Sequence, residues 1–273
     1  MPDAPRILVF DSGVGGLSVL AALRARLPGC DYLFACDNAA FPYGIKTEPQ
    51  LIDRVTQVIG DLARDWAPDL VVIGCNSAST VALPSLRALL TQPVVGTVPA
   101  IKPAAALSAT GVIGLLGTPG TVKRSYTHQL IADFAAQCRV VPLGSTRLVE
   151  VAELALRGTP PDPAELRAIL APLFETPQLD TVVLACTHFP LLAAELAAVA
   201  PRAIRWIDSG EAIARRVATL LPHWSPAADG GFRACFTSPA GVRALYPALA
   251  RLGCRELLVQ GATGMQNWPN ESK

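Results

Sequence analysis

Residues 69–76 read DLVVIGCN, and residues 180–187 read DTVVLACT. Asp, two valines and Cys fall at the same offsets, and the remaining apolar positions are conservative matches. Each stretch is a short, continuous apolar run that ends in a cysteine and a polar residue. Such runs suit strands buried on both faces of a parallel sheet. A weaker echo lies upstream of each: RILVFDSG at 6–13 and VIGLLGTPGT at 112–121 are both apolar runs opening into a small-polar, glycine-bearing loop. A repeat of this size suggests two related α/β halves.

Working outward, strands are expected at 6–10, 31–35, 69–74, 94–97, 111–116, 139–142, 180–185, 204–207, 232–236 and 256–259, with helices between them. The clearest helix is 48–66. Leu51, Ile52, Val55, Val58, Ile59, Leu62 and Trp66 recur at three- and four-residue spacing, which draws one apolar stripe. Thr47 and Gln50 form a capping-box pattern, and Pro49 sits in the first turn. Strand–helix alternation predicts mostly parallel sheets with helix-covered faces. GTPPDP (158–163) reads as a turn between helices, 222–231 as a loop, and the tail after Gly261 as frayed.

The chain has 273 residues, 51% hydrophobic and 16% charged, with 23 basic against 22 acidic side chains. That is enough apolar mass for a sizeable core, and it argues against disorder. A net charge of +1 gives no field for nucleic acid or an anionic membrane, so neither is an expected partner. No apolar run reaches the roughly 18–20 residues of a spanning helix. The start, MPDAPRILVFDSG, reads as a first strand rather than an export signal. Seven scattered cysteines without CxxC spacing suit reduced thiols and a cytoplasmic location. Three isolated histidines predict no metal site.

In open α/β sheets, ligands bind beyond the carboxyl ends of the strands. Those ends carry Asp11-Ser12-Gly13, Asp37-Asn38, Cys75-Asn76-Ser77, Gly117-Thr118, Cys186-Thr187-His188 and Asp208-Ser209. Two matched thiols facing one cleft could form a redox disulfide, bind a soft metal, or act as acid and base on opposite faces of a carbon. The last needs groups that tune each thiol; Asp11 and His188 are the candidates. His188 could equally be a strand-end histidine bonded to backbone. The DSGVGG loop lacks the third dinucleotide-fingerprint glycine, and Asp11 would repel a pyrophosphate. A small zwitterion fits better, with its carboxylate on amides and hydroxyls and its ammonium on Asp11. Lys46, Lys102, Lys123 and Lys273 are the only lysines. None ends an expected strand with a phosphate loop, so pyridoxal phosphate is not expected.

DSGVGGL (11–17), PYG (42–44), CNSAS (75–79), GTPGTVKRSY (117–126) and CTHFPLL (186–192) together resemble the glutamate racemase family over nearly the whole chain. The resemblance implies L- and D-glutamate as substrates, no cofactor, no metal, and a role in peptidoglycan synthesis. It implies two α/β domains, 1–98 completed by 209–273, and 99–208, related by a pseudo-twofold with the active site in the interdomain cleft. It makes Cys75 the base for D-glutamate and Cys186 the base for L-glutamate. Asp11 stands beside Cys75, and His188 beside Cys186. Glu153 is the assisting acid, with Glu150 the alternative. Asp11, Ser12, Tyr43, Gly44, Asn76, Ser77, Thr118, Thr121, Thr187 and His188 match substrate-contacting positions. Ser77 stands where many relatives have threonine. LGST (143–146) and LVEVAELALRG (148–158) replace a common Cys-Pro version, and they resemble the branch activated by UDP-N-acetylmuramoyl-L-alanine. A homodimer is compatible with this resemblance. The competing readings are an aspartate or hydantoin-type racemase, a single-cysteine hydrolase, and a non-catalytic clamp.

Overall fold

The structure is a computed structural model describing residues 4–221, 230–261 and 264–268. In chain order the strands are β1 (Arg6–Asp11), β2 (Asp31–Cys36), β3 (Leu70–Ile73), β4 (Val94–Gly96), β5 (Val112–Gly117), β6 (Arg139–Gly144), β7 (Thr181–Leu184), β8 (Arg205–Ile207), β9 (Phe232–Phe236), β10 (Glu256–Gly261) and β11 (Gly264–Asn267). They form a seven-stranded sheet, β11-β10-β9-β2-β1-β3-β4, and a four-stranded sheet, β6-β5-β7-β8. Every pairing is parallel except β10 with β11.

The sequence echo corresponds to a shared topology. The order β2-β1-β3-β4 in the large sheet repeats as β6-β5-β7-β8 in the small one. The register repeats as well: Ile7–Phe10 lie opposite Leu70–Ile73, and Ile113–Leu116 lie opposite Thr181–Leu184. Asp11 and Gly117 therefore end equivalent strands, and Cys75 and Cys186 follow equivalent ones.

Alternating side chains explain why these strands are apolar throughout. Ile7, Val9, Phe34 and Val72 pack on one face of the large sheet; Leu8, Phe10, Leu33 and Val71 pack on the other. The small sheet also has two cores, one around Leu116, Val182 and Leu184 and one around Leu115 and Val183. Helix Glu48–Trp66 buries Leu51, Val55, Val58, Ile59, Leu62 and Trp66 against the large sheet. Each fully buried side chain of this kind contributes about 1.5–3 kcal/mol. The Thr47 N–H donates to Gln50 Oε1 at 3.1 Å, and the helix stops at Ala67 in the left-handed region (φ 46°).

All ten expected strands are present. The tail is a correction: β11 extends beyond Gly261 and pairs with β10. Its sequence, GMQN, has one apolar residue and no alternation to detect, because it is an edge strand held by backbone pairing. The expected loop at 222–231 lies almost wholly outside the described residues. Among the described residues, no helix is long and apolar enough to cross a membrane.

Candidate active site

Cys75 ends the turn after β3 and is the N-cap of helix Asn76–Leu89. Cys186 follows β7, just before a 3-10 turn at Phe189–Leu192. Both sulfurs' residues line one cavity between the sheets, together with Asp11, Ser12, Tyr43, Gly44, Asn76, Ser77, Thr118, Thr187 and His188. The cavity measures about 20 Å³, room for about one water. A larger hollow of about 950 Å³ lies at the opposite ends of the strands. It is bordered by ion-paired side chains such as Arg233 and Asp31, and it contains no sulfur.

On the first side, Ser12 Oγ lies 3.8 Å from Cys75 Sγ. Asp11 Oδ1 accepts from the Ser12 N–H at 2.6 Å, and Oδ2 accepts from Thr187 Oγ1 at 2.8 Å. Thr187 comes from the other sheet, so Asp11 is held from across the cleft. Burial, followed by the Asp11 charge, pushes the Cys75 thiol well up. Burial also raises Asp11, against the lowering effects of His188, Thr187 and Cys75. Both groups therefore hold protons more tightly than they would in water.

On the second side, His188 Nδ1 lies 3.7 Å from Cys186 Sγ, and His188 Nε2 lies 2.9 Å from Glu153 Oε1. Burial works against an imidazolium here. Hydrogen bonds to Cys186 and Glu153, and their charges, outweigh it and raise His188 well above its usual value. Burial likewise raises Glu153. His188, the Val14 N–H at 2.8 Å and Arg157 at 2.9 Å outweigh that effect and leave Glu153 below the usual carboxylate range. Glu150, one turn earlier on the same helix, is half-exposed and paired with Arg147. Of the two glutamates, only Glu153 reaches the histidine.

The glycine loop packs against the partners of Cys186. A Cβ on Gly13 would come 2.9 Å from His188 Nε2, and one on Gly15 would come 2.7 Å from Thr187 Oγ1. The bare backbone lets His188 and Glu153 pack against it, and the Val14 amide is taken by the protein's own carboxylate. Asp37, at the end of β2, is a structural carboxylate: it binds Arg54 (2.6 and 2.9 Å), Tyr43 Oη (2.5 Å) and Thr237 (2.6 Å). The Tyr43 hydroxyl is thus donated to Asp37, and Tyr43 meets the cavity with the rest of the residue. Thr121 stands behind Thr118, their hydroxyls 3.0 Å apart, and does not line the cavity. Asp208 accepts from the Gly210 N–H, away from the site.

Asn76 Nδ2 is buried with no hydrogen-bond partner, an arrangement that costs free energy unless a ligand satisfies it. Among the described residues, no three His, Cys, Asp or Glu side chains are grouped to hold a metal ion. Sequence reasoning missed Phe41, Ile45, Thr146 and Val149 on the cavity wall, as well as the Val14 amide and Arg157. The wall residues carry no distinctive chemistry, and the other two act through contacts between distant parts of the chain.

The Asp/Glu/hydantoin racemase family profile matches residues 17–217. A glutamate racemase of Salmonella typhimurium is 51% identical over 262 residues, covering 94% of this chain and 93% of that protein. The crystal structure of Escherichia coli glutamate racemase with L-glutamate and the activator UDP-MurNAc-Ala superposes with a TM-score of 0.89. It is 49% identical, covering 93% of this chain and 97% of that one. Glutamate racemase RacE1 of Bacillus anthracis gives a TM-score of 0.78 at 27% identity, over 92% and 94% of the two chains. The chain belongs to the Asp/Glu/hydantoin racemase family.

Proposed function

We propose that this protein interconverts L- and D-glutamate by moving the α-proton between two sulfurs. The observation that carries the reading is the pair of cysteines on one cavity, each with its own proton-handling partners: Asp11 for Cys75, and His188 with Glu153 for Cys186. A single base would return the proton to the face it left. Groups on facing sheets can remove it from one face and deliver it to the other.

With L-glutamate bound, Cys186 takes the α-proton, His188 exchanges a proton with that sulfur, and Cys75 protonates the opposite face. The reverse reaction uses the same groups in exchanged roles. The substrate carboxylates have hydroxyl donors in Ser12, Ser77 and Thr118, and the unpartnered amide of Asn76, while the Thr187 hydroxyl is already donated to Asp11. Asp11 is the anion available to the ammonium group. A cavity of about 20 Å³ cannot admit glutamate, so entry requires the two lobes to part. The reading takes residues 1–98 with 209–273 as one lobe and 99–208 as the other. It also includes a cytoplasmic supply of D-glutamate for peptidoglycan and activation by UDP-N-acetylmuramoyl-L-alanine, as in the Escherichia coli relative's complex.

The test is chiral chromatography of L-glutamate incubated with chelator-treated, cofactor-free protein, with and without that activator. Approach to equal L and D is expected, faster with activator. L-Aspartate should remain unchanged. No D-glutamate under either condition would refute the activity, and an unchanged rate would remove the activator.

A further inference from the structure

Helix Thr146–Leu156 ends on Arg157, whose side chain is only 26% exposed. One arm of the guanidinium donates to Glu153 Oε2 at 2.9 Å; the other donates to the Gly241 carbonyl at 2.6 Å. Gly241 lies just after β9 of the large sheet, whereas Glu153 and Arg157 belong to a helix packed on the small one. The guanidinium therefore joins the two lobes. Gly241 has φ 73°, a conformation that a side chain would strain, and a Cβ there would stand 3.4 Å from Arg157 Nη1. The backbone at 241 is thus shaped to meet this arginine.

The geometry points to Arg157 as a positioning residue for the Cys186 half of the reaction, fixing the Glu153 carboxylate that orients His188 against the sulfur. Arg157 does not line the cavity, so it acts through Glu153. That carboxylate is held at three points: His188 and the Val14 N–H on Oε1, and Arg157 on Oε2. A terminal carboxylate torsion is otherwise soft, and without the Oε2 contact Glu153 can turn and loosen its grip on His188. Two of the bonds that complete the arrangement, from Val14 and to Gly241, cross the cleft. Parting the lobes breaks both, so the support for His188 is complete only when the lobes are closed. This inference rests on the two-sulfur racemase reading.

The test uses Arg157→Met and Arg157→Lys in the full chain, with L- and D-glutamate deuterated at the α-carbon. Weakening the Cys186 side raises the barrier for proton transfer at that sulfur and leaves the Cys75 barrier alone. The isotope effect on kcat/KM should then rise for deuterated L-glutamate and fall toward one for deuterated D-glutamate. The equilibrium constant ties the two directions together, so kcat/KM itself should drop in both, by about tenfold for Arg157→Met and by less for Arg157→Lys. An isotope effect is a ratio within one enzyme population, so partial misfolding does not move it; if Arg157→Met does not fold, Arg157→Lys carries the same test. Unchanged isotope effects in the variants, whatever the loss of rate, would reduce Arg157 to a structural tie. Failure of the racemase reading itself would be seen separately, as a parent enzyme without racemisation.

Discussion

Replacing Gly15 with alanine tests whether the glycine loop is a packing surface for the Cys186 machinery. The backbone at Gly15 has no left-handed φ, so alanine causes no backbone strain. The new methyl, however, would sit 2.7 Å from Thr187 Oγ1 and 2.8 Å from His188 Cε1. Ordinary contact is about 3.5–4.0 Å, so loop and imidazole must separate by about 1 Å. His188 has nowhere to go: Glu153 holds Nε2 at 2.9 Å, and the Phe41 ring lies 6.0 Å away, centroid to centroid. Overpacking of this kind costs about 1–3 kcal/mol, and a 1 Å misplacement of a catalytic group can cost about a hundredfold in rate. Gly60→Ala is the matched control. It lies inside helix Glu48–Trp66, where a Cβ meets nothing closer than Leu89 Cδ2 at 3.5 Å, and alanine should stabilise by about 1 kcal/mol. Urea denaturation and kcat/KM in both directions are the assays. Gly15→Ala should lose stability and most activity, and Gly60→Ala should gain stability with activity kept. Parent-like activity in Gly15→Ala would refute the packing argument.

Asp11→Asn should lower kcat mainly from D to L, and His188→Asn mainly from L to D, with compensating KM changes because the equilibrium is fixed; equal effects of both variants in both directions would leave these residues only a binding role. Burial raises the Asp37 carboxyl, but Arg54, Thr237 and Tyr43 outweigh it and hold it below the usual carboxylate value. Its contribution is therefore present above that value and lost as pH falls through the lower folded one. Asp37→Asn should cost about 3 kcal/mol at pH 7, as for breaking a buried pair, and the gap from the parent in urea midpoint should narrow as pH falls below the usual carboxylate value; a pH-independent gap would contradict the assignment.

Much of this was legible in the sequence because it is local. Apolar runs gave the ten strands, and a repeated octapeptide placed Cys75 and Cys186 at matching strand ends. What escaped is non-local. Glu153 and Glu150 are one helical turn apart, and only the packing partner distinguishes them: Glu153 faces a histidine 35 residues on and an amide 139 residues back. The glycines of DSGVGG admit the protein's own imidazole and carboxylate, partners that lie far off in the sequence. Tyr43 looks like a substrate donor until Asp37 takes its hydroxyl. β11 has no periodicity because its partner supplies the order.

The central claim is that two sulfurs serve opposite faces of the α-carbon. Proton NMR of L-glutamate racemised in heavy water tests it most directly. Early in the reaction the D-glutamate formed should carry deuterium at the α-carbon, delivered by Cys75, while recovered L-glutamate stays largely protiated because Cys186 returns the proton it took. Deuterium entering recovered L-glutamate as fast as D-glutamate appears would contradict the two-sulfur account.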